Sequence, residues 1–236
     1  MKETSVHNSR TMMFEEFSNT ISTGKHDRSF LQVLDMNAIG KSSKAGLVKT
    51  KGYLISLYGF DIEDPVFDQL LKLWEMTSDE ERRLMAILFA IRNDRLLRSS
   101  IDYVIPYPLG QKVEIDGLMK HLSKVVSYTE NTLRSTAQNI ASSWKQAGFI
   151  EGKVRKIRVE PVITHIPVAF AIYLGIQEGL SGEFLLESPY IRALGLSVQK
   201  LSQLLYEASI RDYINYQSSG NVVTISLGEK MKSHGK

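Results

Sequence analysis

Residues 115–159 constrain this chain more than any other stretch. A short amphipathic segment is followed by Ser127, Tyr128 and Thr129 as a turn, then by a long helical pattern. The exit Ala147-Gly148-Phe149-Ile150 leads into a basic stretch around Gly152. In the long segment, from about residue 129 to 147, Leu133, Ala137, Ile140 and Trp144 recur at i, i+4, i+7 and i+11, which places them on one helix face. Two helices, a tight turn and a small hairpin in this order predict a winged helix-turn-helix over residues 111–160.

The other face of that helix carries Asn131, Arg134, Ser135, Gln138, Ser142 and Lys145. A major groove accepts an α-helix; Arg pairs with guanine and Asn or Gln with adenine. Lys145 suits a backbone phosphate better than a base. Directly afterwards Lys153, Arg155, Lys156 and Arg158 surround Gly152, as the cations of a wing gripping phosphate would. Residues 111–160 hold nine Lys and Arg against five acids, a local charge of +4 on a chain whose net charge is +3. The competing reading is an ordinary solvated helix and an edge hairpin kept apart from other chains by lysine.

Residues 183–227 read as a weaker second copy. A short helix near residues 189–193, a turn at Gly195-Leu196-Ser197 and a helix to about Arg211 precede Gly220-Asn221, a hairpin turn between alternating apolar residues. Val198, Leu201, Leu205 and Ala208 are its expected apolar face, with Lys200 and Gln203 as candidate DNA contacts. Glu207 opposes phosphate, and residues 182–236 carry only +1. The residues fit a DNA reader and a partner-binding domain equally.

The expected fold is mainly α, with two winged helix-turn-helix-like modules and small β-hairpin wings. Residues 1–30 are polar and weakly patterned, which suggests partial disorder, although Phe14 and Phe17 could dock. Residues 31–110 form an N-terminal helical region. In it Asp64 and Pro65 start one helix and Thr77-Ser78, with Glu80 and Glu81, the next. Arg92, Arg95 and Arg98 look like a stripe along one helix, and Lys41, Lys44, Lys49 and Lys51 lie in a run without acids. Pro106, Pro108 and Gly110 mark a boundary. Residues 161–182 hold a buried connecting helix, its apolar run of 163–176 too short to span a bilayer. Residues 228–236 form a polar tail.

The chain of 236 residues has no cysteine, which excludes disulfides, thiolate zinc sites and thiol catalysis. Its five histidines show no ligand spacing, so no metal is expected. Gly40-Lys41-Ser42 ends like a phosphate-binding loop, but the required earlier glycine is Asp35. Glu151 and Lys153 resemble part of a metal-dependent nuclease site without the second converging acid. The sequence therefore suggests a non-enzyme without cofactor. The polar N-terminus lacks a signal-like apolar stretch, so a cytoplasmic protein with no membrane partner is expected.

In the order of its parts the chain resembles the BrxA family, small non-catalytic components of bacteriophage-exclusion (BREX) systems. The resemblance spans about residues 35–227. It rests on the basic segment 41–53, Ile91-Arg92-Asn93-Asp94, Thr132-Leu133-Arg134, Trp144-Lys145-Gln146-Ala147-Gly148-Phe149-Ile150, Tyr213-Ile214 and Val222-Val223-Thr224-Ile225. It implies a mostly helical monomer with two DNA-contacting elements, working in phage defence beside a methyltransferase and ATPases. A protein-interaction adaptor and a transcriptional repressor are the alternatives.

Overall fold

The computed structural model describes residues 5–37, 39–219 and 222–232, and the chain is mainly helical with two small antiparallel hairpins. The N-terminal region contains α1 (Phe14–Gly24), α2 (Phe30–Asp35), α3 (Lys44–Tyr58), α4 (Pro65–Trp74), α5 (Asp79–Asn93), α6 (Arg95–Ser99) and α7 (Ile101–Val104). Local chemistry sets these boundaries. The Asp64 carboxylate accepts from Val66 N at 3.0 Å with Pro65 at the first helical position. Ser78 and Glu81 form a reciprocal capping box at the start of α5.

The centre of the molecule is α5 against α10 (His165–Gln177), with α4 also on α10. Residues 84–91 of α5 and 166–175 of α10 are buried without interruption. A helix apolar on all sides has to be enclosed on all sides, which is why α10 shows no amphipathic pattern. Around it the buried side chains form one continuous cluster from Val6 to Met231.

Two stretches share an order of parts. In the first, α8 (Ile115–Leu122) and α9 (Glu130–Gln146) precede β1 (Ile150–Glu151) and β2 (Ile157–Arg158). In the second, α11 (Pro189–Leu194) and α12 (Val198–Ile210) precede β3 (Ile214–Ser219) and β4 (Val222–Leu227). The Gly220-Asn221 turn expected between β3 and β4 lies outside the described residues. Both α11 and α12 pack on α10. Among the described residues no helix is long and apolar enough to cross a membrane.

Several expectations need correction. The N-terminal segment is built into the body: Val6–Asn8 is a 3-10 turn, and Met12, Phe14, Phe17 and Ile21 are buried. Phe17 stacks on Tyr58 with ring centroids 3.7 Å apart and meets Trp74 edge-on at 5.3 Å. A few aromatics at helical spacing outweigh the polar composition around them. Near the other end, Met231 is buried and its sulfur accepts from Gln69 Nε2, so the polar tail is anchored at that point.

The arginine stripe also dissolves. Asp94 leaves the helical conformation and caps α6, so Arg92 and Arg98 stand on different helices. Arg92 pairs with Asp64, and Arg98 forms a bidentate pair with Glu178 at 2.7 and 2.8 Å. In α12 the buried residues are Leu204, Leu205 and Ala208, with Leu201 partly covered; Val198 is 82% exposed. It is the first helical residue after the Ser197 cap and stands at the rim of an open pocket it shares with Ile101, Ile105, Ile191 and Leu201.

Candidate nucleic-acid interface

The geometry is set by α9. Thr129 caps it, its hydroxyl accepting from Thr132 N, and Trp144 anchors it. The indole is fully buried, donates from Nε1 to Ser100 Oγ at 2.8 Å and meets Phe149 edge-on at 5.0 Å. Ala137, Ile140 and Ala141 complete the inner face. On the outer side Asn131, Arg134, Ser135, Gln138 and Lys145 are exposed and Ser142 is half-buried. Ser142 Oγ donates to the Gln138 carbonyl, within the helix.

β1 and β2 lie beside this outer face. Ile150 pairs with Arg158 and Glu151 with Ile157. Residues 110–113 add a third layer: Val113 N donates to Lys156 O at 2.8 Å and Arg158 N to Gln111 O at 2.9 Å. The turn depends on Gly152, whose φ is +83°; a Cβ there would run into the Arg155 carbonyl oxygen. Between helix and hairpin lies an open groove of about 520 Å³, lined on the helix by Arg134, Gln138 and Ser142 and on the hairpin by Lys153, Val154 and Lys156. Arg134, Gln138 and Ser142 follow at successive i+4 steps, so they line the groove in a row.

Charge is uneven along the groove. Lys145, Lys153, Arg155 and Lys156 have no carboxylate partner among the described residues. Lys156 is held below the ordinary lysine pKa, first by partial burial and then by repulsion from the like charge of Lys145 on the helix. At the other end, Glu114 and Asp116 also line the groove. There Asp116 holds Arg134 at 3.2 Å, and Glu130 lies 3.5 Å from the same guanidinium.

Arg158 leaves the expected set of contacts. Only 3% exposed, it donates from Nη1 to the Phe149 and Val159 carbonyl oxygens, and its guanidinium lies 5.3 Å from the centroid of the Phe149 ring. Burial lowers its pKa, with Glu160 partly opposing. Side chains alternate along a strand, and position 158 faces inward, where its Nη2 lies beside Gly195 of the second module.

A third side of α9 is polar and covered. Residues 7–14 cross it as a strap. Asn139 Nδ2 donates to His7 O at 3.0 Å, Met12 N to Ser143 Oγ at 2.8 Å and Phe14 N to Gln146 Oε1 at 2.9 Å. His7 Nδ1 lies 2.9 Å from Asp94 and Nε2 2.9 Å from Ser143 Oγ. Burial opposes ionisation of Asp94, but His7, the Leu97 amide and Ser5 outweigh it and hold the carboxyl well below its ordinary range. Asp94, His7 and Ser143 have the connectivity of a hydrolase triad, yet all three are at most 1% exposed. The Ser143 hydroxyl also donates to Asn139 O and accepts from Met12 N, so no open approach is left for a substrate. The group is a structural tie. No local signal in the sequence marks it, because its members lie 87 and 136 positions apart.

In the second module Lys200 and Gln203 are exposed. They share the outside of α12 with Tyr206 and Ile210, the last 85% exposed. Tyr206 meets Tyr216 of β3 edge-on at 5.0 Å. Glu207 is occupied by Arg211 and His165, at 3.2 and 3.3 Å. Among the described residues no three of His, Asp and Glu gather in a way that could hold a metal ion. The chain matches no protein-family model, no curated protein and no solved structure among those compared.

Proposed function

We propose that residues 111–160 are a winged helix-turn-helix and that the protein binds double-stranded DNA through it without catalysing a reaction. In this reading α9 enters the major groove. Asn131, Arg134, Ser135, Gln138 and Ser142 face the bases, while Lys145, Lys153, Arg155 and Lys156 hold phosphate. The observation that carries the reading is the groove itself, in which Arg134, Gln138 and Ser142 of the helix and Lys153 and Lys156 of the hairpin line one surface. A role in a phage-defence assembly, beside a methyltransferase and ATPases, comes from the resemblance to the BrxA family alone.

Lys200 and Gln203 stay outside the proposed interface, because Tyr206 and Ile210 around them offer phosphate nothing. That apolar face favours the second reading, in which the C-terminal module holds a protein partner. The test of the main reading is a duplex titration at several salt concentrations. Lys153→Ala, Arg155→Ala and Lys156→Ala combined should lower the slope of log affinity against log salt by about 2.7, at roughly 0.9 per phosphate contact. An unchanged slope rejects the hairpin assignment, and absence of duplex binding by the unaltered protein rejects the function.

A further inference from the structure

The structure divides the acid-free lysine run of residues 41–51. Lys41 is paired with Glu16 at 2.8 Å and Lys51 with Asp35. Lys44 and Lys49 are exposed on α3, without a carboxylate partner among the described residues. Lys49 stands one turn before Tyr53 on the same helix face. The Arg10 guanidinium lies over the Tyr53 ring, 5.6 Å from its centroid, so a strap residue and a helix residue join two cations into one patch. Arg10 is exposed and donates to the Ser9 carbonyl, which leaves its charge uncompensated.

The strap fixes where this patch lies. Its 3-10 turn touches both α9 and α3. Asn8 reaches Thr136, and Asn139 reaches the His7 carbonyl. Residues on a helix advance by about 100° each. On that wheel the outward face of α9 begins at Arg134, beside α8, and ends at Ser135, where the strap side with Asn139 and Thr136 takes over. The groove with its hairpin cations takes most of that face, from Arg134 to Ser142; Arg10 belongs to the strap at its far edge, and Lys49 stands on the α3 face whose Tyr53 meets Arg10.

A helix seated in a major groove about 12 Å wide has a phosphate strand on each side. The hairpin supplies cations for one strand. We infer that Arg10 and Lys49 form a second phosphate-binding flank for duplex DNA, engaging the strand across the groove from the one held by the hairpin. The inference rests on α9 being the groove-entering helix.

The experiment compares the full chain, Arg10→Ala/Lys49→Ala, Lys49→Glu and the hairpin triple variant, on two unrelated short duplexes over a range of salt. The expected result is a slope lower by about 1.8 for the double alanine variant, equal on both duplexes and additional to the hairpin effect. Lys49→Glu, a change on the exposed side of α3, should weaken binding without altering the melting temperature. If the full chain binds, the hairpin variant weakens it and Arg10→Ala/Lys49→Ala keeps the full slope, the second flank is overturned while the proposed function stands. A loss confined to one duplex overturns the phosphate assignment. No binding by the full chain overturns both.

Discussion

Removing the Asp94 carboxylate tests what keeps α9 in place. Six donors converge on that group: Ser5 Oγ, Val6 N, His7 N, His7 Nδ1, Leu96 N and Leu97 N, at 2.8 to 3.3 Å. Asp94→Ala breaks the buried His7–Asp94 pair and strands its remaining donors, which costs about 3–5 kcal/mol. It also uncaps α6, for about 1 kcal/mol more. A loss of about 4–6 kcal/mol is most of the stability of a typical domain, which lies near 5–15 kcal/mol. Urea unfolding followed by far-UV circular dichroism measures it. His7→Ala should be comparably damaging, and the double variant should lose clearly less than the sum of the two. The pH dependence has a definite sign. The folded carboxyl titrates below its ordinary 3.8, so its contribution is complete above 3.8 and drains away as pH falls below it. The alanine variant should lack that part of the acid slope. A loss under about 1 kcal/mol, against the 3–5 expected for a broken buried pair, or strict additivity with His7→Ala, would refute the reasoning.

Four further variants have defined outcomes. Arg158→Ala should lose about 1–3 kcal/mol of stability, because its guanidinium serves backbone carbonyls inside the protein. Arg155→Ala should stay within about 0.5 kcal/mol, so thermal melting separates the two neighbouring arginines. Gly152→Val should force the hairpin turn open and weaken duplex binding, with amide resonances shifting over residues 150–158 while those of the first turn of α9 hold still. Trp144→Ala should cost about 3–5 kcal/mol, seen as a lower urea midpoint with an unchanged denaturant slope.

The parts of the candidate interface written in local pattern were legible in the sequence. The spacing of Leu133, Ala137, Ile140 and Trp144 marks α9, and Gly152 among cations marks the hairpin turn. What required long-range contacts was hidden. Composition treats Lys153, Arg155, Lys156 and Arg158 alike, but the last one pairs with the buried Ile150 and is turned inward with it. Thr136, Asn139, Ser143 and Gln146 are polar and look solvated. Their cover comes from residues 7–14, more than a hundred positions upstream. The spacing of Arg92, Arg95 and Arg98 suggests a single helix because the capping role of Asp94 competes with helical periodicity and wins. Val198 fits the apolar stripe of α12 by spacing, yet it stands at the rim of an open pocket beside Ile101, Ile105 and Ile191 and stays exposed.

The most direct measurement of the central claim is backbone amide chemical-shift mapping of the labelled full chain during titration with a short duplex. The account predicts that shifts concentrate on Asn131, Arg134, Ser135, Gln138, Ser142 and Lys145 of α9 and on the hairpin from Gly152 to Lys156. Arg158 and the α12 residues Val198, Tyr206 and Ile210 should stay nearly still. Shifts centred on α12, or on the hairpin without α9, would contradict it.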